Sequence, residues 1–88
     1  RPLRVKILAG AKQAAKAKLL ADKLTGLGYK IERIERATKP FTRTTVYHTS
    51  GVAREAKNMA RKMGTNTVVK PISWKTVFNV IIAVGAGK

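Results

Sequence analysis

The 88-residue sequence predicts a two-layer α/β (α+β) sandwich of order βαββαββ, two helices on one mixed sheet in the split-βαβ manner. Three observations predict it. The apolar pattern changes twice from strand-like alternation to helical spacing and back. Each helical stretch stops at a glycine, Gly28 or Gly64, where a left-handed cap or break belongs. The last segment is apolar on both of its faces, as expected of a strand that is central or covered on both sides.

The first strand is Arg4 to Ala9, where Val5, Ile7 and Ala9 share one side and Arg4, Lys6 and Leu8 the other. From Ala11 the period becomes helical. Ala14, Ala17, Leu20, Ala21, Leu24 and Leu27 line one face, with Lys12, Lys16 and Lys23 on another, so a helix is expected over Ala11 to Leu27. Tyr29 to Ala37 holds the three-residue repeat Ile31-Glu32-Arg33-Ile34-Glu35-Arg36, which fits neither regular pattern and reads as a bulged strand. Lys39-Pro40-Phe41 is a turn, because proline biases the residue before it away from helix.

Thr44 to His48 is a third strand, rich in β-branched and aromatic side chains. Ser50 is the expected N-cap of a second helix whose apolar stripe is Val52, Ala56, Met59, Ala60 and Met63, with Arg54, Lys57 and Arg61 on the wet side. Thr67 to Lys70 is a short strand, Pro71 to Thr76 a loop carrying Trp74, and Val77 to Val84 the final strand. Strand order stays open at this point; a fifth strand inside the sheet departs from the simple ferredoxin-like pattern.

Length and composition narrow the function. Residues 1–88 are read as one domain, and a chain this short has a single modest core. Its opening, Arg1-Pro2-Leu3-Arg4, has neither an initiator Met nor a signal-peptide pattern, so the domain is expected to be excised from a longer protein. The longest apolar run, Val77 to Gly87, is 11 residues broken by Asn79, against the roughly 17 to 25 that a membrane helix needs. Cysteine is absent, which removes disulfides, Cys-based zinc sites and thiol nucleophiles. Lys and Arg number 19 against 4 Asp and Glu, and the resulting +15 attracts polyanions.

Residues able to do chemistry are few. Asp22 and Glu55 lie beside Lys18 and Lys23, or Arg54 and Lys57, where surface pairing is expected. Glu32 and Glu35 alternate with Arg33 and Arg36 and read as cross-strand or neighbour pairs. His48 has no further ligand near it in sequence, so it reads as a structural histidine and no metal site is expected. Ser50 and Ser73 lack nucleophile context, and there is no phosphate-binding glycine motif. The expectation is a binding or assembly module: no enzyme, no catalytic residues, no cofactor.

The candidate polyanion- or glycan-binding groups are Lys12, Lys16, Lys23, Arg54, Lys57 and Arg61 on the outer helix faces, and Trp74, which in its loop is either a stacking group or, by a slight preference, a plug at the end of the core. Gly10, Ser50 and Gly51 mark strand-to-helix turns where free N–H groups and the helix dipole favour an anion, although plain strand-to-helix punctuation is the favoured reading of all three. Tyr47, with Thr45 and Thr49, is expected on any sheet face that the helices leave open.

Taken in order, these motifs resemble the C-terminal domain of the LytR family (LytR cell envelope-related transcriptional attenuator). The strand and glycine Val5-Lys6-Ile7-Leu8-Ala9-Gly10, the alanine-rich helix Ala17 to Leu24, and Gly28-Tyr29 carry it first. Thr44-Thr45-Val46-Tyr47-His48, a helix with Ala56, Ala60 and Met63, and the closing Val80 to Gly85 follow, so coverage is nearly end to end. Ala9 stands where relatives commonly have Asn, and Ala15-Lys16 replaces a Gly-Leu step.

The resemblance implies a non-catalytic accessory domain of a bacterial cell-envelope protein, extracytoplasmic, contacting an anionic or glycan envelope polymer or another envelope protein. The alternative is a basic nucleic-acid-binding domain, favoured by a pI near 11.2 but lacking the aromatic strand motif or Gly-x-x-Gly loop of common RNA-binding folds. A third is a protein-interaction or dimerisation domain using the uncovered sheet face.

Overall fold

The computed structural model describes residues 3–64 and 67–86. Its elements run β1 (Val5–Ala9), α1 (Ala14–Gly26), β2 (Ile31–Arg36), β3 (Thr45–His48), α2 (Ala53–Met63), β4 (Val68–Pro71) and β5 (Val80–Val84). The strands form one mixed sheet in the order β2-β1-β5-β3-β4. β1 is parallel to both β2 and β5, β3 is parallel to β4, and β3 meets β5 antiparallel. Two β-α-β crossovers, β1-α1-β2 and β3-α2-β4, thus flank a fifth strand that belongs to neither. That central strand is the departure from a ferredoxin-like sheet.

Register explains why both helices share one layer. Ile7 faces Ile82, and Ile82 faces Val46, so the three branched side chains form a row across the middle of the sheet. Val5, Ala9, Val80 and Val84 extend it. All join one buried cluster with Ala17, Ala21 and Leu24 of α1 and Ala56, Met59 and Ala60 of α2. Alanine at the contact points lets the helices lie close to the β-branched row, and the two larger helix residues, Leu24 and Met59, fill the space between.

All five residues of β5 are buried. Val80, Ile82 and Val84 point to the helices. Ile81 and Ala83 point the other way and are only 2% and 1% exposed. The loop between β4 and β5 lies over the Ile81 end of this face: Trp74 meets Tyr47 edge-on, with centroids 5.1 Å apart, and Phe78 lies under the cations of Arg4 and Lys6, Tyr47 and Lys6 being the register neighbours of Ile81. The sheet face opposite the helices is therefore partly roofed.

Most boundaries shift by one or two residues from the sequence expectation, and four of the differences have a local reason. Helix α1 starts at Ala14 instead of Ala11, because Gly10 closes a turn with Gln13 and Lys12 takes a left-handed backbone, φ 65°. Helix α2 starts at Ala53, with Val52 at the cap position and no side-chain cap, so Ser50 is not the N-cap. Gly51, at φ 92°, turns the chain between them. Strand β5 starts at Val80, since Asn79 Oδ1 accepts from the Arg4 N–H and holds Val77 to Asn79 outside the ladder. Strand β4 runs one residue further, to Pro71, on the edge where proline is tolerated. The bulge in β2 is present: Val5 pairs Ile31 while Lys6 pairs Arg33, leaving Glu32 without a partner position.

Candidate polyanion-binding surface

The carboxylates reveal which cations are neutralised. Arg4 Nε donates to Glu32 at 2.9 Å, Lys6 Nζ to Glu35 at 2.8 Å, and Arg33 reaches Glu35 at 3.0 Å. These are the ion pairs among the described residues, and all lie on the β1–β2 side of the sheet. Donation from Arg4 holds the Glu32 carboxyl below its usual range, and donation from Lys6 does the same for Glu35. Asp22 and Glu55 enter none of these pairs, contrary to the surface pairing expected from their neighbours in sequence.

The sequence-nominated cations divide into two groups. Lys12 and Lys16 stand where β1 gives way to α1. Lys12 lines a hollow of about 250 Å³ with Gly10, Ala11, Ala14, Ala15 and, from the end of β2, Arg36. Lys16 is not directed purely outward, because its ammonium donates to the Gly85 carbonyl at 3.0 Å and ties α1 to the end of β5. Lys23 sits in the last turn of α1, where a cation complements the helix dipole. On α2, Arg54, Lys57 and Arg61 are exposed, and Arg61 donates to Asn58. Among the described residues no carboxylate is paired to any of these six.

Trp74 belongs elsewhere. Its partner Tyr47 follows core-facing Val46 and so projects from the face that the helices do not cover. The indole, 46% exposed, lines a separate cleft of about 500 Å³ with Thr49, Lys75, Thr76 and Val77. The helix-layer cations and the indole therefore do not form one site. Thr45, expected on an open platform, is 9% exposed, and its hydroxyl donates to the Arg43 carbonyl at 3.3 Å. Ser50 and Gly51 are exposed in the turn before α2.

His48 Nδ1 lies 3.0 Å from the Thr49 carbonyl oxygen, and no group of three or more potential metal ligands occurs among the described residues. No helix of the described residues is long and apolar enough to cross a membrane. Two features escaped sequence reading. Arg36 joins Lys12 only through the parallel pairing of β1 and β2, and Phe78 acquires its two cations only when the β4–β5 loop folds back over the sheet. Neither has a signal at short sequence separation.

Fold and charge layout together define a small α+β sandwich with a basic helix layer. The same fold occurs in the solution structure of the C-terminal domain of RV0431, with TM-score 0.68 and 22% identity over 98% of this chain and 75% of that one. No curated protein matches the sequence. The family described as LytR cell envelope-related transcriptional attenuator matches residues 2–87, and the chain belongs to that cell-envelope-associated family.

Proposed function

We propose that the chain is a non-catalytic binding module that acts outside the cytoplasm as part of a longer envelope protein, holding an anionic envelope polymer against its helix layer. The carrying observation is that Lys12, Lys16, Lys23, Arg54, Lys57 and Arg61 have no carboxylate partner among the described residues, while the ion pairs gather on β1 and β2. A net +15, with these six cations unpaired among the described residues, attracts a polyanion by counterion release and by steering, neither of which needs a deep pocket. The hollow between Lys12 and Arg36 suits a single phosphate or carboxylate of such a chain, as it borders the first turn of α1. Family membership supports the envelope setting.

Binding of the chain to a purified anionic wall polysaccharide, measured at several salt concentrations, tests this. Arg54→Gln, Lys57→Gln and Arg61→Gln together are expected to reduce the salt slope of log K by roughly 0.7 to 0.9 for each cation that contacts an anionic group. Absence of binding at low salt, or a slope untouched by the triple change, overturns the reading. Tighter binding to one RNA or DNA sequence than to the polysaccharide favours the nucleic-acid alternative and also overturns it.

A further inference from the structure

The two edges of the sheet are built differently. On β4, Val68 and Ile72 donate their N–H groups inward to β3, which leaves Val69 and Pro71 facing out. Pro71 has no N–H to offer, and Lys70 adds a charge, so this edge resists further pairing. On β2, the N–H of Ala37 is donated inward to the Ala9 carbonyl. By alternation, the N–H and C=O of Ile34 and Arg36 point away from the sheet with no strand beside them. Ile34, on the helix side of this edge opposite Ile7, is 47% exposed.

Charge singles out the same edge. Glu32 and Glu35 lie on β2. Asp22 is brought near by helix geometry: Lys16 reaches Gly85 beyond β5, so the opposite flank of α1, with Lys18 and Asp22, lies over the β2 side. On β2 itself Glu32 and Glu35 balance Arg33 and Arg36, so within a +15 chain this strand carries no net charge toward a like molecule.

We propose that β2 is an interface at which a second copy of this chain adds its own β2 antiparallel, with the two-fold axis at Ile34. In that register Ile34 of each copy exchanges both backbone hydrogen bonds with the other, because its N–H and C=O already face outward. The two exposed isoleucine side chains meet on the helix face. On the opposite face, Arg33 of each copy stands across from Glu35 of its partner, giving two symmetric opposite-charge pairs. Sliding the register by one residue on either strand sets Glu32 against Glu35 or Arg33 against Arg36, so the sequence specifies the alignment. The remaining cations repel over longer distances, and that repulsion is screened beyond about 8 Å at physiological salt.

The test is sedimentation equilibrium of the 88-residue chain across a concentration range at 0.15 M and roughly 0.5 M salt, with amide hydrogen exchange on the same samples. Dimer is expected, and concentration-dependent protection of the Ile34 and Arg36 amides is expected with it. Ile34→Lys is expected to abolish both while leaving the circular dichroism spectrum and melting cooperative, since the side chain is exposed at an edge. Arg33→Glu places like charges across the axis and is expected to weaken the dimer. Arg33→Glu with Glu35→Arg is expected to restore it, with Lys6 then facing the new carboxylate at position 33. A chain that stays monomeric at both salts, or a dimer indifferent to Ile34→Lys, overturns the proposal. Neither result bears on polymer binding by the helix layer.

Discussion

Glu35 receives Lys6 at 2.8 Å and Arg33 at 3.0 Å, and Glu32 receives Arg4, so two carboxylates link β1 to its edge neighbour. Both are held below the usual carboxylate value of 4.5 in the folded chain. A lowered folded pKa means that the unfolded chain takes up these protons first. Their stabilisation is therefore complete above about pH 4.5 and is lost as pH falls through the lower folded values. Denaturant melts from pH 7 to pH 2 are expected to show stability falling in that acidic window, and Glu32→Gln with Glu35→Gln is expected to flatten the fall. Glycines offer a second comparison. A methyl at Gly85 meets the Arg43 backbone at 2.5 Å, and one at Gly10 meets the Val84 carbonyl at 2.7 Å, whereas one at Gly26 meets nothing within 4 Å. Gly85→Ala and Gly10→Ala are expected to destabilise by about 1 to 3 kcal/mol through overpacking. Gly26→Ala, at the end of α1, is expected to stabilise by about 0.5 to 1 kcal/mol, since alanine is the better helix former. Thermal melts of the three variants distinguish these signs.

The elements differ in how plainly they could be read. Helix α2 was clear because Ala56, Met59 and Ala60 repeat at helical spacing beside Arg54, Lys57 and Arg61, and the same stripe is buried. Met59 fills the row between the helix and the sheet at 0% exposure, so Met59→Ala is expected to remove about 2 to 5 kcal/mol, measurable by urea unfolding. The β2 bulge was legible from its three-residue repeat, which cannot alternate. Helix starts were not, since Lys12 and Gly51 turn the chain with left-handed backbones that carry no compositional mark before α1 and only a glycine before α2. The end of β5 nearest Asn79 was misread because Val77 and Phe78 are apolar, although they belong to the roof. Of the nominated site, the cations were legible from composition and helical phase. Their separation from Trp74 was not, because it depends on which sheet face the β4–β5 loop crosses.

At the scale of the whole molecule, charge and topology pull in different directions. A surplus of +15 on a body with extents of 32 × 28 × 23 Å repels itself. The melting temperature is expected to rise between about 0.01 M and 0.3 M salt, as the screening length shortens from about 30 Å to less than 8 Å. A melt insensitive to salt in a calorimetric scan contradicts this. The sheet answers the repulsion with a strand drawn from the end of the described chain, as Val5 pairs Val80 and Arg4 exchanges hydrogen bonds with Asn79 across nearly the full length. Each crossover can form as soon as its own two strands exist, yet the two have no common seam until residues 80–84 arrive between them. Residues 80–84 pair with β1 on one side and β3 on the other, so a single five-residue segment is the whole of the covalently distant link between the two halves of the sheet.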